Sequence, residues 1–314
     1  MKSRVHPRYK TRYRVGNWAE YDRALVQRGD ITLWISSDAI DSWTPLPSGK
    51  RGGQRKYSDL AIETAITLRL VFHLPLRQAE GFLRSLFDLM GLCLEVPDHT
   101  TLSRRSQHLD VRLRRIATDK PMHLIVDSTG LSIVGEGEWA AAKHGKRGKR
   151  AWRKLHVGVN RAGVIVAQVV TDSNVDDAST GVDLIKQVDS KLTSITGDAA
   201  YDTGAIYDAA LERGAKVVVP PTRKAVVSGR RQCATARDRT IRKVKKLGRR
   251  EWKRVSDYHR QGTVENAFFR YKSIIGDRLR ARHPRAQRVE AVLACNALNR
   301  MFELGRPVSK AIRT

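Results

Sequence analysis

Asp127 closes a short apolar run, His123-Leu124-Ile125-Val126, and is followed by Ser128-Thr129-Gly130. Asp198 closes another, Ser194-Ile195-Thr196-Gly197. An apolar run ending in an acid predicts a strand that carries a carboxylate to the rim of a sheet, where strand ends open into loops. A third acid, Glu265, falls in a helical pattern with Phe268, Phe269, Lys272 and Ile275 around it. Three hard oxygen donors with no His/Cys cluster suit Mg²⁺ or Mn²⁺ better than zinc. Two such ions ~3.5–4 Å apart can activate an attacking oxygen and stabilise a leaving one in an in-line phosphoryl displacement. Any one acid taken alone is more often a cap, a surface group or half of a salt bridge. Other acids compete: Asp172, Asp183, Glu136 and Glu138, with Asp176-Asp177 and Asp202 reading as helix caps. Only Asp127 and Asp198 directly follow apolar strands. A site built from His144 and His156 is a rival, although each histidine also suits a phosphate contact or a core position.

The charge of the chain gives these acids a substrate class. With 59 Lys+Arg against 32 Asp+Glu in 314 residues, the net charge is +27. Seven basic residues and no acid lie between Lys143 and Lys154, among them Lys146, Arg147, Lys149, Arg150 and Arg153. A second run, between Pro221 and Val255, holds fourteen Lys/Arg and two acids, Asp238 and Glu251. One basic run is often only a solvated face. Two dense runs flanking acidic strand ends repel themselves, and phosphate with release of its counterions relieves that repulsion. Nucleic acid is the expected partner. Trp139, Trp152 and Trp252 lie beside the basic runs, placed either to stack on an unpaired base or to pack in the core.

The elements that must position these groups fall into two regimes. Residues 1–16 read as a basic mobile arm, followed by a helix from Asn17 with Trp18, Tyr21, Leu25 and Val26 as its apolar stripe. A Pro/Gly-rich stretch over 41–55 reads as a linker. Helices are then predicted from Ser58 to Pro75, from Leu76 to Met90, and from an Asp98 N-cap through Arg104, Arg105, Arg112 and Arg114. Such a group resembles a helix-turn-helix reader with Thr100, Thr101, Ser103 and Arg104 near the groove; a plain helical bundle is the alternative. From Met122 the periodicity changes to β-β-β-α-β-α-β, with a hairpin turn at Asn160-Arg161-Ala162-Gly163, then the basic insertion and a helix near 263–275. The expected fold is α/β: a ribonuclease-H-like catalytic domain (β-β-β-α-β-α-β-α) with a basic insertion, preceded by an all-α helix-turn-helix-like region. The implied boundaries are 1–55, 56–118, 119–303 with the insertion near 221–257, and a tail at 304–314.

Over nearly its whole length the chain resembles a DDE-type transposase of bacterial insertion sequences, in the branch with a Tyr-Arg-Glu-Lys box. Carrying the resemblance are the helical segment Tyr57–Arg105, the strand end Val126-Asp127-Ser128-Thr129-Gly130, Trp152-Arg153-Lys154-Leu155-His156, and Gly197-Asp198-Ala199-Ala200-Tyr201-Asp202. In the box Tyr258, Glu265 and Lys272 fall in register, but Gln261 stands at the Arg position, with Arg260 one residue earlier. The resemblance implies that Asp127, Asp198 and Glu265 bind two divalent ions, and that Tyr258 and Lys272 contact DNA near the cut. It leaves the arginine's phosphate clamp to Arg260 or to a weaker Gln261.

The expected function is therefore binding of an element's terminal inverted repeats, then metal-dependent strand cleavage and transfer on double-stranded DNA. Lys146, Arg147, Lys149, Arg150, Arg153, Lys154, Arg104 and Arg105 would contact DNA. A homodimer on DNA is implied by the same family. Rival readings are a nuclease of the same fold that cannot join strands, and a DNA-binding regulator whose acids are structural. No apolar run reaches the ~18–20 residues of a membrane span. Cys93, Cys233 and Cys295 form no close pair, and with no secretory leader in the sequence a cytoplasmic, nucleoid-associated protein is expected.

Overall fold

The fold, seen in a computed structural model, is described for residues 13–47, 49, 51–114, 121–134, 152–228 and 235–312. It begins with strand β1 (Tyr13–Val15) and helices α1 (Trp18–Gln27), α2 (Ile31–Trp34) and α3 (Ser37–Asp41). Asn17 sits at the N-cap of α1 but caps nothing with its side chain. Its amide instead donates to the Arg306 carbonyl at 3.0 Å and its oxygen accepts from the Val308 N–H at 2.7 Å. Part of the expected arm, β1, pairs antiparallel with β8 (Ser309–Ala311), which ties the two ends of the described chain together.

Helices α4 (Asp59–Val71), α5 (Leu76–Leu89) and α6 (His99–Arg105) follow. Ser58 and Asp98 are true N-caps, with Ser58 accepting from Ala61 N–H and Asp98 from Thr100 and Thr101 N–H. Trp43, Ile62, Leu68, Leu83, Phe87 and Leu102 form the core of this helical body. α6 stops at Arg105, so Arg112 and Arg114 are not on it as the charge pattern suggested. Asn296 takes over that backbone, accepting from Arg114 N–H and donating to the Arg112 carbonyl.

The second body is mixed α/β, consistent with a ribonuclease-H-like domain. Its strands are β2 (Met122–Ile133), β3 (Trp152–Val159), β4 (Ile165–Asp172), β5 (Leu192–Thr196) and β6 (Lys216–Val218). They run in the order β4-β3-β2-β5-β6, with the short β7 (Arg278–Leu279) on the far end of β2. β2, β3 and β4 are antiparallel, whereas β5 and β6 add in parallel. The parallel steps use crossover helices α7 (Asp177–Gln187) and α8 (Gly204–Glu212). The expected hairpin turn is present: Asn160 Oδ1 accepts from Ala162 and Val164 N–H, and Gly163 takes φ +84°. Asp176 caps α7 through Ser179 N–H as expected, but Asp202 does not cap α8, whose N-cap is Thr203. The basic insertion folds into α9 (Ala236–Leu247) and α10 (Arg249–Val255), and α11 (Gly262–Arg270) continues into a π-helical turn, Tyr271–Ile275.

The last long helix, α12 (Pro284–Leu304), escaped the sequence reading. It is buried around most of its circumference, with Gln287, Glu290, Asn296 and Asn299 among the buried residues, so no clean apolar stripe marks it in the sequence. Val289, Leu293, Ala297 and Met301 enter the core of the helical body. Ala291, Ala294, Cys295 and Leu298 enter the core beneath the sheet. Its buried polar groups are all bonded: Asn299 brackets the backbone of Ile165, and Glu290 accepts from Arg280 and Ala281 N–H beside the buried Arg69. Among the described residues no helix is long and apolar enough to cross a membrane.

Candidate active site

Asp127 lies in the middle of β2, not at its end as the sequence suggested. The Ser128-Thr129-Gly130 triplet looks like a turn, but both flanks of the strand hold it extended. β3 pairs with β2 from Ile125 to Ser132, and β7 pairs with Ser132 and Ile133. Asp198 lies two residues beyond β5 and caps a 3₁₀ turn, Ala199–Tyr201, by accepting from Ala200 N–H at 2.9 Å.

Sheet register brings the two acids together. β2 and β5 pair His123 with Ser194, Leu124 with Ile195 and Ile125 with Thr196, an offset of 71 (194 − 123). Two residues further on, the same offset puts Asp127 level with Asp198. Neighbouring strands stand ~4.8 Å apart, so both carboxylates leave adjacent backbones at one end of the parallel pair.

Tyr201 fixes the loop that carries Asp198. Its buried ring lies so close to Gly197 and Gly181 that a Cβ at either position would come within 2.9 Å of a ring carbon. Only glycine fits those two points. This wedge was not foreseen, although the Gly-x-x-x-Tyr spacing was its trace.

Glu265 occupies the first turn of α11 and is exposed. The preceding 3₁₀ turn, Tyr258–Gln261, begins after Asp257, which takes left-handed backbone at φ +63°, ion-pairs with Arg260 and Arg161, and lies 3.3 Å from His259 Nε2. Arg260 is thus engaged by Asp257. Gln261, only 6 % exposed, turns inward and donates through Nε2 to the Val126 carbonyl at 3.2 Å. Trp252 packs in the core beside Tyr258, and Lys253 Nζ lies 4.9 Å from the centre of the Tyr258 ring. A cleft of about 650 Å³ opens between Lys253, Arg254, Tyr258, His259, Gln261 and Glu265.

These groups sense one another electrostatically. Burial pushes the Asp127 carboxyl up to about 6, and the charges of Asp198, Glu265 and Asp177 add to it, against the Ser128 N–H bond that favours the anion. Tyr258 is pushed up to about 12 by burial and by Asp198, Asp127 and Glu265. The three expected acids therefore share one electrostatic field. Among the described residues no three His, Cys, Asp or Glu side chains form a ready-made ion cage. The donor chemistry nonetheless fits a hard divalent ion, since the half-buried Asp127 carboxylate lies in the field of the other two acids, and a 2+ charge relieves both costs.

Other expected contacts are distributed differently. Arg153 pairs with Asp172 across β3 and β4 and donates through Nε to Gln287 at 3.0 Å. Lys154 binds the Val175 carbonyl at 2.8 Å and Asp177 at 3.2 Å, so Asp177 is a fourth acid at the edge of the site. His156 is fully buried against Thr171, as a core residue would be. Arg105 holds the Tyr57 carbonyl and Asp59, Arg104 is exposed, and Lys272 is exposed on the π-helical turn. Trp152 is exposed. Lys146, Arg147, Lys149, Arg150, His144, Trp139 and Cys233 lie outside the described residues.

Two family models, each described as "Transposase DDE domain", match the chain, one over residues 118–300 and one over 26–136. The first spans all three acids. A stretch of 192 residues is 27 % identical to an uncharacterized protein of Aquifex aeolicus (strain VF5), covering 56 % of this chain and 58 % of that relative. The chain thus spans less than two thirds of that relative's length.

Proposed function

The chain belongs to the DDE transposase family, and we propose that it cuts and joins DNA strands at the ends of its own element. The observation that carries this reading is the shared field of Asp127, Asp198 and Glu265, three acids brought from two strands and a helix. Asp127 and Asp198 would hold divalent ions from the sheet side, and Glu265 from α11. When bound, these ions supply Lewis-acid activation of the attacking oxygen and neutralise charge on the leaving one.

The chain's own residues do the rest. Tyr258 stays a neutral phenol near neutral pH and can donate to a phosphate oxygen. Lys253 lines the same cleft and supplies positive charge there, whereas Arg254 is held by Glu251 and Arg260 by Asp257. Gln261 replaces a phosphate clamp with an inward bond that fixes the start of α11 against β2. Lys272 and the basic face of α9 and α10 would follow the phosphate backbone, while the α4–α6 body would bind the duplex ends in a helix-turn-helix manner. Pairing two ends calls for two copies of the chain on DNA.

The test supplies pre-cut ends, taken from the DNA flanking the gene, with a plasmid target and Mg²⁺. Joined product from the wild type and none from Asp127→Asn supports the reading. Nicked plasmid without joined product would instead make the protein a nuclease.

A further inference from the structure

Further along α11 than the Lys253–Arg254 cleft lies a second cavity of about 650 Å³, bordered by Tyr21, Arg28, Phe269, Arg270, Phe302 and Arg306. No acidic side chain lines it among the described residues. Three guanidiniums are fixed there by backbone carbonyls: Arg28 by Gly305 at 3.2 Å, Arg270 by Gly163 at 2.6 Å and Arg306 by Ala162 at 3.1 Å. Arg270 and Arg306 both lie over the Phe302 ring, at 4.4 and 5.5 Å from its centre. The buried Nε of Arg28 has no protein partner. Fixed like charges of this kind are self-repelling until an anion joins them.

Phe269 supplies the other half of a ligand. It is 71 % exposed, an unusual position for a large ring on a helix otherwise packed on the sheet. It lies four residues after Glu265, so both side chains share one face of α11, about 6 Å apart along the axis. A strand whose scissile phosphate reaches Glu265 and which follows this face of α11 passes Phe269 within about a nucleotide.

We propose that this cavity binds one unpaired nucleotide of single-stranded DNA, with its base stacked on Phe269 and its phosphate held by Arg28, Arg270 and Arg306. The cavity has the size range of small-ligand pockets, and base–aromatic stacking tolerates any sequence. The proposal rests on the DNA-processing reading above, and it says which strand state that site handles: a melted end, not an intact duplex.

The test uses the full chain and a 5′-phosphorylated oligothymidylate carrying one 2-aminopurine, at raised salt to suppress general attraction to the positive surface. Phe269→Ala is expected to weaken binding about tenfold and to abolish the quenching that stacking produces, while Phe269→Trp restores both. Arg306→Ala should weaken binding and leave the residual quenching. A blunt duplex of the same length should bind wild type and Phe269→Ala alike. Equal binding of the single-stranded probe by wild type and Phe269→Ala would overturn the proposal. So would displacement of the probe by polyglutamate as readily as by unlabelled oligonucleotide, which would mark an acidic-peptide site. Asp127→Asn should bind the probe like the wild type. If Asp127→Asn still joined DNA, the catalytic reading would fail while the pocket stood.

Discussion

Gln261 donates its side-chain N–H to the carbonyl of Val126, the residue immediately before Asp127 and 135 positions earlier in the chain. This bond joins the helix bearing Glu265 to the strand bearing Asp127, at the position where the resemblance to a Tyr-Arg-Glu-Lys box leads one to expect arginine. Replacing Gln261 by Leu takes this side-chain bond away from that carbonyl. The expected cost is about 1–3 kcal/mol of stability. The effect on DNA joining should fall on kcat more than on KM, because Glu265 is displaced and the phosphate contacts remain. A stability loss with kcat unchanged would remove Gln261 from any positioning role.

Asp127→Asn should lower strand cutting and joining by three orders of magnitude or more, on the order of ~4 kcal/mol of transition-state stabilisation. Affinity for end DNA should hold or rise slightly, since a negative charge facing phosphate is removed. Gel-shift and product assays on one preparation separate the two effects.

Divalent ions should raise the melting temperature of the wild type and leave Asp127→Asn much less affected. Because burial and its acidic neighbours hold the Asp127 carboxyl up at about 6, protons compete with the ion below that pH. The Mg²⁺-induced shift should therefore be larger at pH 7.5 than at pH 5. A shift that does not depend on pH would point to ion binding elsewhere.

Tyr258 should ionise only near pH 12, and Glu265→Gln should bring that midpoint down, because one of the charges opposing the phenolate is gone. The folded chain holds this proton more tightly than the unfolded one, whose tyrosine ionises near 10. Tyr258 therefore takes nothing from stability below pH 10 and erodes it as the pH climbs from about 10 toward 12. Ultraviolet titration of the wild type against Tyr258→Phe isolates the signal.

Asp202 and Arg237 join the loop after Asp198 to α9 through two bonds at 2.8 and 2.9 Å, with the aspartate side chain fully buried. Asp202→Ala leaves both Arg237 and the Thr222 N–H without their partner. The loss should be about 2–3 kcal/mol, below the range for a wholly buried pair because Arg237 is partly in water. Limited proteolysis should then cut within the basic insertion sooner than in the sheet.

Features set by neighbouring residues were legible in the sequence. Ser58, Asp98 and Asp176 cap their helices as expected, and Asn160 through Gly163 make the expected turn. Features set by distant partners were not. Asp127 reads as a strand end until β3 pairs with Ser128 through Ser132, and β7, arriving more than 140 residues later, adds to Ser132 and Ile133. Asp202 reads as a cap because Arg237 is invisible at a separation of 35 residues. The acids themselves were identifiable from the apolar runs before them and from the family spacing. Their mutual placement follows from one strand register, which no local pattern encodes. Lys154 and Arg153 read as free positive charge, whereas folding gives each an acid.

Because α12 contributes side chains to the core of the helical body and to the core under one face of the sheet, neither of these two is complete without it, whereas the core under α7 and α8 on the other face contains none of it. A gene fragment ending before Pro284 would open two of the three cores at once, and its product should be poorly soluble. The helical body is thus no detachable module, and exchanging it between relatives would require carrying that terminal helix along or redesigning one of its faces.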